Sequence, residues 1–215
     1  MKITKFGHCC MLIEENGVKL LLDPGSFTRS AQERLVGLSA VLITHEHHDH
    51  FDIESLKIVL KNNSGAKVIC NDSVAALLSK AGIDHEILDD GKTADVKGVS
   101  IEGHGTLHAE IHSSMPAMKN TGFYIAEHLW YPGDALSVFP GKQPAVMALP
   151  IAGPWMKLSE AADYALKIKP TGCFPVHDMV LSELGSDIHQ RVIKNILEPN
   201  GIQFYQVALD EPFEY

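Results

Sequence analysis

The chain has 215 residues, 45% hydrophobic and 21% charged, with 18 Lys plus Arg against 27 Asp plus Glu and a formal net charge of −9. That apolar fraction excludes a disordered or collagen-like polymer, and the length suits a single domain spanning residues 1–215. The acidic balance opposes an extended grip on nucleic acid, which needs Lys or Arg facing many phosphates. Against only 18 Lys plus Arg stand 12 histidines, so the question is whether they cluster.

In chain order, Ile3–Phe6, Cys10–Glu14 and Val18–Leu22 read as strands, the last two joined through Asn16-Gly17, a strong hairpin signal because both residues tolerate positive φ. Adjacent Cys9 and Cys10 face opposite ways if strand-like and do not bridge. With Cys70 and Cys173 they show no C-x-x-C spacing, and they read as reduced, structural thiols of a cytoplasmic protein. No apolar signal core opens the chain, and no stretch approaches the roughly 20 apolar residues of a membrane span. Asp23-Pro24-Gly25 stops the hairpin, and Ala40–Thr44 is a buried strand running straight into His45–His50.

Helix and strand signals then alternate. Helices are expected over Ile53–Lys61, from an Asp72 cap through Ala81, from Ser159-Glu160 to about Lys169-Pro170, and over Asp187–Leu197. Strands are expected at Ala66–Cys70, His85–Leu88, along one run Thr93–His108, and at Thr121–Ala126, Leu129–Tyr131, Ala145–Leu149, Cys173–Val176 and Ile202–Val207. The pattern predicts an α/β (α+β) protein with two sheets flanked by helices.

Residues 44–50 read Thr-His-Glu-His-His-Asp-His. His45 and His47, two apart, can converge on one cation, while Asp49 and His50 face a second cation or a water. A solvated polar loop is the bland reading, but the buried strand before it and the helix after it hold both ends. The zincin pattern H-E-x-x-H does not fit, because Asp49 stands at its second histidine. Two metals need further ligands, and His108, Asp134 and His177 are each expected at a strand end.

These pieces resemble the metallo-β-lactamase-fold superfamily of metal-dependent hydrolases: Gly7-His8, Leu22-Asp23-Pro24, His45-x-His47-x-Asp49-His50, His108, Gly133-Asp134 and Val176-His177, in the superfamily's order. The compact length and the Gly-His beginning look most like the branch of L-ascorbate-6-phosphate lactonase-like proteins. The resemblance implies a four-layer αββα sandwich carrying two divalent metal ions at one edge. His45, His47 and His108 would hold the first, Asp49, His50 and His177 the second, and Asp134 would bridge. His112 stands as the alternative to His108, which shares strand parity with His104 and Thr106. Donors without thiolate suit zinc, and also manganese, iron or nickel.

Metal binding lowers the pKa of water from about 15.7 to roughly 7. The resulting hydroxide could attack a small, anionic ester, lactone or phosphoester, with Asp49 as the catalytic residue that orients it or accepts a proton. Asp23 either holds a ligand histidine's second nitrogen or caps its own turn. His8 either stands near the site or ends the first strand; Trp155, with Met156, either walls the substrate pocket or seals a homo-oligomer contact. Asp178 either orients His177 or caps the following turn. His48, His85, His104, His128 and His189 carry no special role. Two other readings remain: a metal-binding sensor without turnover, and a di-iron redox protein, whose pattern places glutamate where this chain has His47. Expected partners are a small-molecule substrate, no nucleic acid and no membrane.

Overall fold

Runs of buried residues build an antiparallel start from β1 (Lys2–Gly7), β2 (Cys10–Glu15) and β3 (Val18–Leu22). Asn16 and Gly17 form the turn of the second hairpin, both at positive φ. A short helix α1 (Arg29–Gln32) follows, then β4 (Ala40–Ile43), α2 (Ile53–Asn62), β5 (Lys67–Cys70), α3 (Asp72–Lys80) and β6 (Glu86–Ile87). The second half comprises β7 (Thr93–Val96), β8 (Val99–His104), β9 (Gly122–Ile125), β10 (Leu129–Tyr131), β11 (Val146–Pro150), α4 (Leu158–Ile168), β12 (Gly172–Val176), α5 (Glu183–Leu197), β13 (Gln203–Phe204) and β14 (Pro212–Glu214). The computed structural model describes residues Met1–Tyr215.

Two sheets result, ordered β14-β1-β2-β3-β4-β5-β6 and β13-β12-β11-β10-β9-β8-β7. Both begin antiparallel and become parallel, the first from β3 onward and the second from β10 onward. Their inner faces enclose one core, with Ile13, Leu20 and Leu42 from one sheet against Phe123, Tyr131 and Phe174 from the other. The outer face of the first sheet packs on Leu56, Val59, Val74 and Leu78 of α2 and α3. The outer face of the second packs on Ala161, Ala165, Ile193 and Leu197 of α4 and α5. This is the αββα sandwich of the metallo-β-lactamase fold. No helix is long and apolar enough to cross a membrane.

Several expectations need correction. The run Thr93–His108 is not one strand: Lys97 and Gly98, both at positive φ, turn it into the β7–β8 hairpin, and β8 ends at His104 before Gly105 at φ 86. His108 therefore lies on a loop, and its strand parity with His104 and Thr106 does not exist. Asn71, not Asp72, caps α3, because its side chain accepts from the Val74 amide. Helix α5 starts four residues earlier than expected, at Glu183, capped by Ser182. The last predicted strand shrinks to Gln203–Phe204, and β14, unpredicted, pairs with β1.

Cys9 faces the core between the sheets and Cys10 the helical layer, as their adjacency implies. Burial pushes the Cys9 thiol up to about 11 and those of Cys10, Cys70 and Cys173 to about 12. All four should thus stay unlabelled by a thiol-specific reagent at pH 8 in the native protein and react together once denaturant is added. Counting labelled cysteines by mass spectrometry checks this.

Candidate metal centre

The parallel strands deliver their chemistry at their C-terminal ends, where open α/β sheets bind ligands. The loop His45–His50 follows β4, Asp134 follows β10, and His177 follows β12. The tight Asp23-Pro24-Gly25 turn lies directly beneath the histidine loop: a Cβ on Gly25 would run into the Asp49 carbonyl, and the Ser26 amide donates to the His48 carbonyl at 2.7 Å. Only glycine allows that approach.

Asp23 is fully buried, and its carboxylate accepts from the Thr44 amide (2.8 Å), Thr44 Oγ1 (2.7 Å), Tyr131 Oη (2.6 Å) and His50 Nδ1 (2.7 Å). Asp23 thus holds His50 by Nδ1 and leaves its Nε2 toward Asp134. Asp134 is positioned by Asn120, whose Oδ1 accepts from the Asp134 amide (3.0 Å) and whose Nδ2 donates to the Pro132 carbonyl (2.9 Å). Gly133, at φ 61, lies so close to Asn120 that a Cβ would collide with its amide oxygen.

Two groups of four donors converge, and a third set, Cys9, His50 and Asp134, overlaps them. One atom each from His45, His47, His108 and Asp134 lie within 4.8 Å of one another, and the same is true of His8, Asp49, His50 and His177. In the first group His45 Nε2 faces His47 Nδ1 at 3.0 Å, and His108 Nε2 lies 3.3 Å from Asp134 Oδ2. The second nitrogens of His45 and His108 are engaged elsewhere, by Thr44 Oγ1 at 3.0 Å and by the Ala109 carbonyl at 2.5 Å. In the second group His8 Nε2 stands 3.0 Å and His177 Nε2 3.6 Å from Asp49 Oδ2. Asp134 lies between the groups, with Oδ2 3.0 Å from His177 Nε2 and Oδ1 3.3 Å from His50 Nε2. The last pair is not aligned as a hydrogen bond, and both atoms are buried without a partner. Buried lone pairs aimed at a common point, with the far nitrogens of His45, His50 and His108 already held, fit a cation better than they fit one another.

The electrostatics sort the groups. Burial, reinforced by neighbouring histidines, holds His45 well below the ordinary imidazole value and lowers His47. At His50 burial resists charge but the Asp134 carboxylate outweighs it, raising its pKa well above the ordinary value. Asp49 and Asp134 are pulled below the usual carboxylate range: burial opposes this, and the surrounding histidines prevail.

The structure brings together His45, His47, Asp49, His50, His108, Asp134, His177 and His8. His112 stays apart as a ligand: it is exposed, bonded to Ser114 Oγ at 2.7 Å, and outside both donor groups. Trp155 is mostly buried, its ring edge-on to His108 and His177 at 5.8 and 5.6 Å. It borders a cleft of about 630 Å³ shared with Leu107, Ala109, Leu136 and Tyr164. His48 is 77% exposed. Asp178 accepts from the buried Lys5 Nζ at 2.6 Å instead of touching His177's ring. Sequence reasoning missed Tyr131, Asn120, Thr44 and Lys5. Of these only Lys5, a cation within an apolar strand, carried a visible signal.

The model of the beta-lactamase superfamily domain matches residues 2–177, and the chain belongs to that superfamily. "Protein Rv0786c" of Mycobacterium tuberculosis is 37% identical over 187 residues, covering 85% of this chain and 86% of that one. A protein of Methanocaldococcus jannaschii named as a UPF0173 metal-dependent hydrolase is 24% identical over 227 residues, 99% of each chain. Among solved structures, Igni18, a metallo hydrolase from Ignicoccus hospitalis, superposes with a TM-score of 0.78 at 21% identity, over 100% of this chain and 98% of that one. An isothiocyanate hydrolase from Delia radicum gut bacteria gives 0.71 at 19%, over 100% and 99%.

The Asp23 cluster sets a stability prediction. Tyr131→Phe removes one hydrogen bond to a buried carboxylate and should cost about 2 kcal/mol. Asp23→Ala strands the four donors that Asp23 accepts from and should cost about 3 kcal/mol or more. Urea denaturation of the metal-free protein measures both.

Proposed function

We propose that this metal-dependent hydrolase works with two divalent cations and cleaves a small ester, lactone or phosphoester. The observation that carries the reading is the position of Asp134, one carboxylate between two groups of imidazoles, with an oxygen 3.3 Å from His108, 3.0 Å from His177 and 3.3 Å from His50. His45, His47 and His108 would hold the first cation and Asp49, His50 and His177 the second, with Asp134 bridging. Two dications in one buried pocket require anionic charge between them, and Asp134 supplies it. All-imidazole and carboxylate donors suit zinc, with manganese, iron and nickel as alternatives.

When bound, such cations acidify water toward neutral pH and polarise the scissile bond. The chain's own residues supply position. Asp49, ionised at pH 7 because its pKa lies below the usual carboxylate range, orients the attacking water by accepting its hydrogen bond. Trp155 walls the side of the cleft next to His108 and His177 and excludes water there. The remaining wall is Leu107, Ala109, Leu136 and Tyr164, sized for a small molecule. Its rim bears Glu110, Glu160 and Asp163 against one Lys167, so negative charge on a substrate is met by the cations, not by the rim.

The test is a panel of chromogenic phosphodiesters, lactones and thioesters given to protein loaded with each candidate metal, with and without chelator. The expected result is chelator-sensitive turnover of at least one class. Asp134→Ala should lose both bound metal and turnover, and His112→Ala should keep both. Two bound cations without any chelator-sensitive turnover would make this a metal-binding sensor.

Proton release gives a second check. The Asp134 carboxylate raises the His50 pKa well above the ordinary imidazole value, so a cation loading on its Nε2 competes with a proton, whereas burial lowers the pKa of His45 and His47. Uptake of the cations at pH 7 should release protons, and apparent affinity should rise with pH. Calorimetric titration in buffers of different ionisation enthalpy measures the count.

A further inference from the structure

The geometry points to His8 as a direct ligand of the second cation, the fourth protein donor beside Asp49, His50 and His177. The inference rests on the two-cation reading above and changes the composition of one of its sites.

His8 lies in the turn between β1 and β2, its ring 1% exposed. It is a non-glycine residue at φ 48, an uncommon conformation that needs local support. The support comes from His177, itself at φ 59, whose amide donates to the His8 carbonyl at 3.2 Å. One backbone bond thus joins two residues of the same left-handed conformation, and the two rings lie 4.1 Å apart. His8 Nε2 is 3.0 Å from Asp49 Oδ2, and its ring centre is 5.7 Å from that of His50. Nδ1 of His8 is buried without a partner, as is Nδ1 of His177, so each ring meets its polar neighbours only through Nε2.

Composition supports the same assignment. The first donor group holds three imidazoles and one carboxylate. The group of His8, Asp49, His50 and His177 has the same make-up, and with Asp134 bridging it would surround the second cation with five protein donors. Without it the second cation would have only two imidazoles and Asp49 to itself, with Asp134 shared.

The competing role for His8 is to donate a hydrogen bond to Asp49 and hold that carboxylate in place. A glutamine amide can do the same but ligates poorly, so His8→Gln separates the two roles. His8→Asn, a residue that tolerates positive φ, guards against a folding defect. The experiment titrates Co²⁺ into wild type and both variants against a chromophoric chelator. It also records proton NMR spectra of the Co²⁺-loaded proteins with ¹⁵N-labelled histidine.

The expected result is two cations per wild-type chain and an unchanged first affinity in the variants. The second affinity should fall more than about 100-fold, beyond the roughly 10–100-fold lost when a group merely hydrogen-bonds a ligand. Wild type should show six strongly shifted ligand imidazoles, the six histidines of the two donor groups. Five shifted imidazoles, or a His8→Gln variant that keeps its second cation, would overturn the inference while leaving the two-cation reading intact. Wild type that binds fewer than two cations would overturn that reading and the inference with it. The wild-type imidazole count decides the matter even if both variants fail to fold.

Discussion

The Asp23 carboxylate is the point at which the molecule is tied together. It receives hydrogen bonds from the strand end of β4, from the histidine loop and, across the sandwich, from Tyr131 on the other sheet. A buried carboxylate is costly unless its lone pairs are occupied, and here four donors occupy them. Removing any one of those donors disturbs the rest. The sheets are joined at this end by a buried charge, between their faces by apolar packing, and at the far end by ties such as Lys97 Nζ to Ser39 Oγ. Only the charged end fixes the direction of an imidazole, so the precision of His50 depends on the docking of β10 against β3.

Around that tie the two halves repeat one plan. Each sheet runs antiparallel and then parallel, and Asp23 and Asp134 follow corresponding strands, β3 and β10, the first parallel-paired strand of each sheet. One carboxylate meets His50 from behind through Nδ1, and the other faces its Nε2. Held between two carboxylates, His50 has its pKa raised well above the ordinary imidazole value, so protons and cations compete for its Nε2. Asn71 and Asn120 do corresponding work around Thr44 and Asp134, each using an amide to fix a loop carbonyl.

Much of this was legible in the sequence where the chemistry is contiguous. H-x-H-x-D-H sits in one segment between a buried strand and a helix, and Asn16-Gly17 marks its hairpin by local conformational preference alone. The sandwich followed from alternating patterns and the family resemblance. What escaped depended on distance across the fold. Tyr131 reads as an ordinary core residue, since nothing in Leu129–Tyr131 tells that its hydroxyl meets a carboxylate from the opposite sheet. Asn120 reads as a loop residue. Residues 93–108 read as one strand because apolar and polar residues alternate on both sides of Lys97-Gly98, although the parity shifts there from Ala94 and Val96 to Val99 and Ile101. The loop that does carry His108 is held by backbone bonds from that residue to Met118 and from Ala109 to Asp134, which no periodicity encodes.

The donors come from both sheets in each group: His45 and His47 with His108 and Asp134, and His8, Asp49 and His50 with His177. Neither group can close within one half of the chain. The pairings are among the most non-local in the molecule, and contacts of that kind form late, after the loop-closure entropy of the intervening chain has been overcome. A chain emerging residue by residue would therefore present an incomplete cluster of histidines until β12 has docked. Throughout that interval the motif at residues 45–50 is an open, partial chelator, and the finished sandwich is what turns it into a site with a defined capacity.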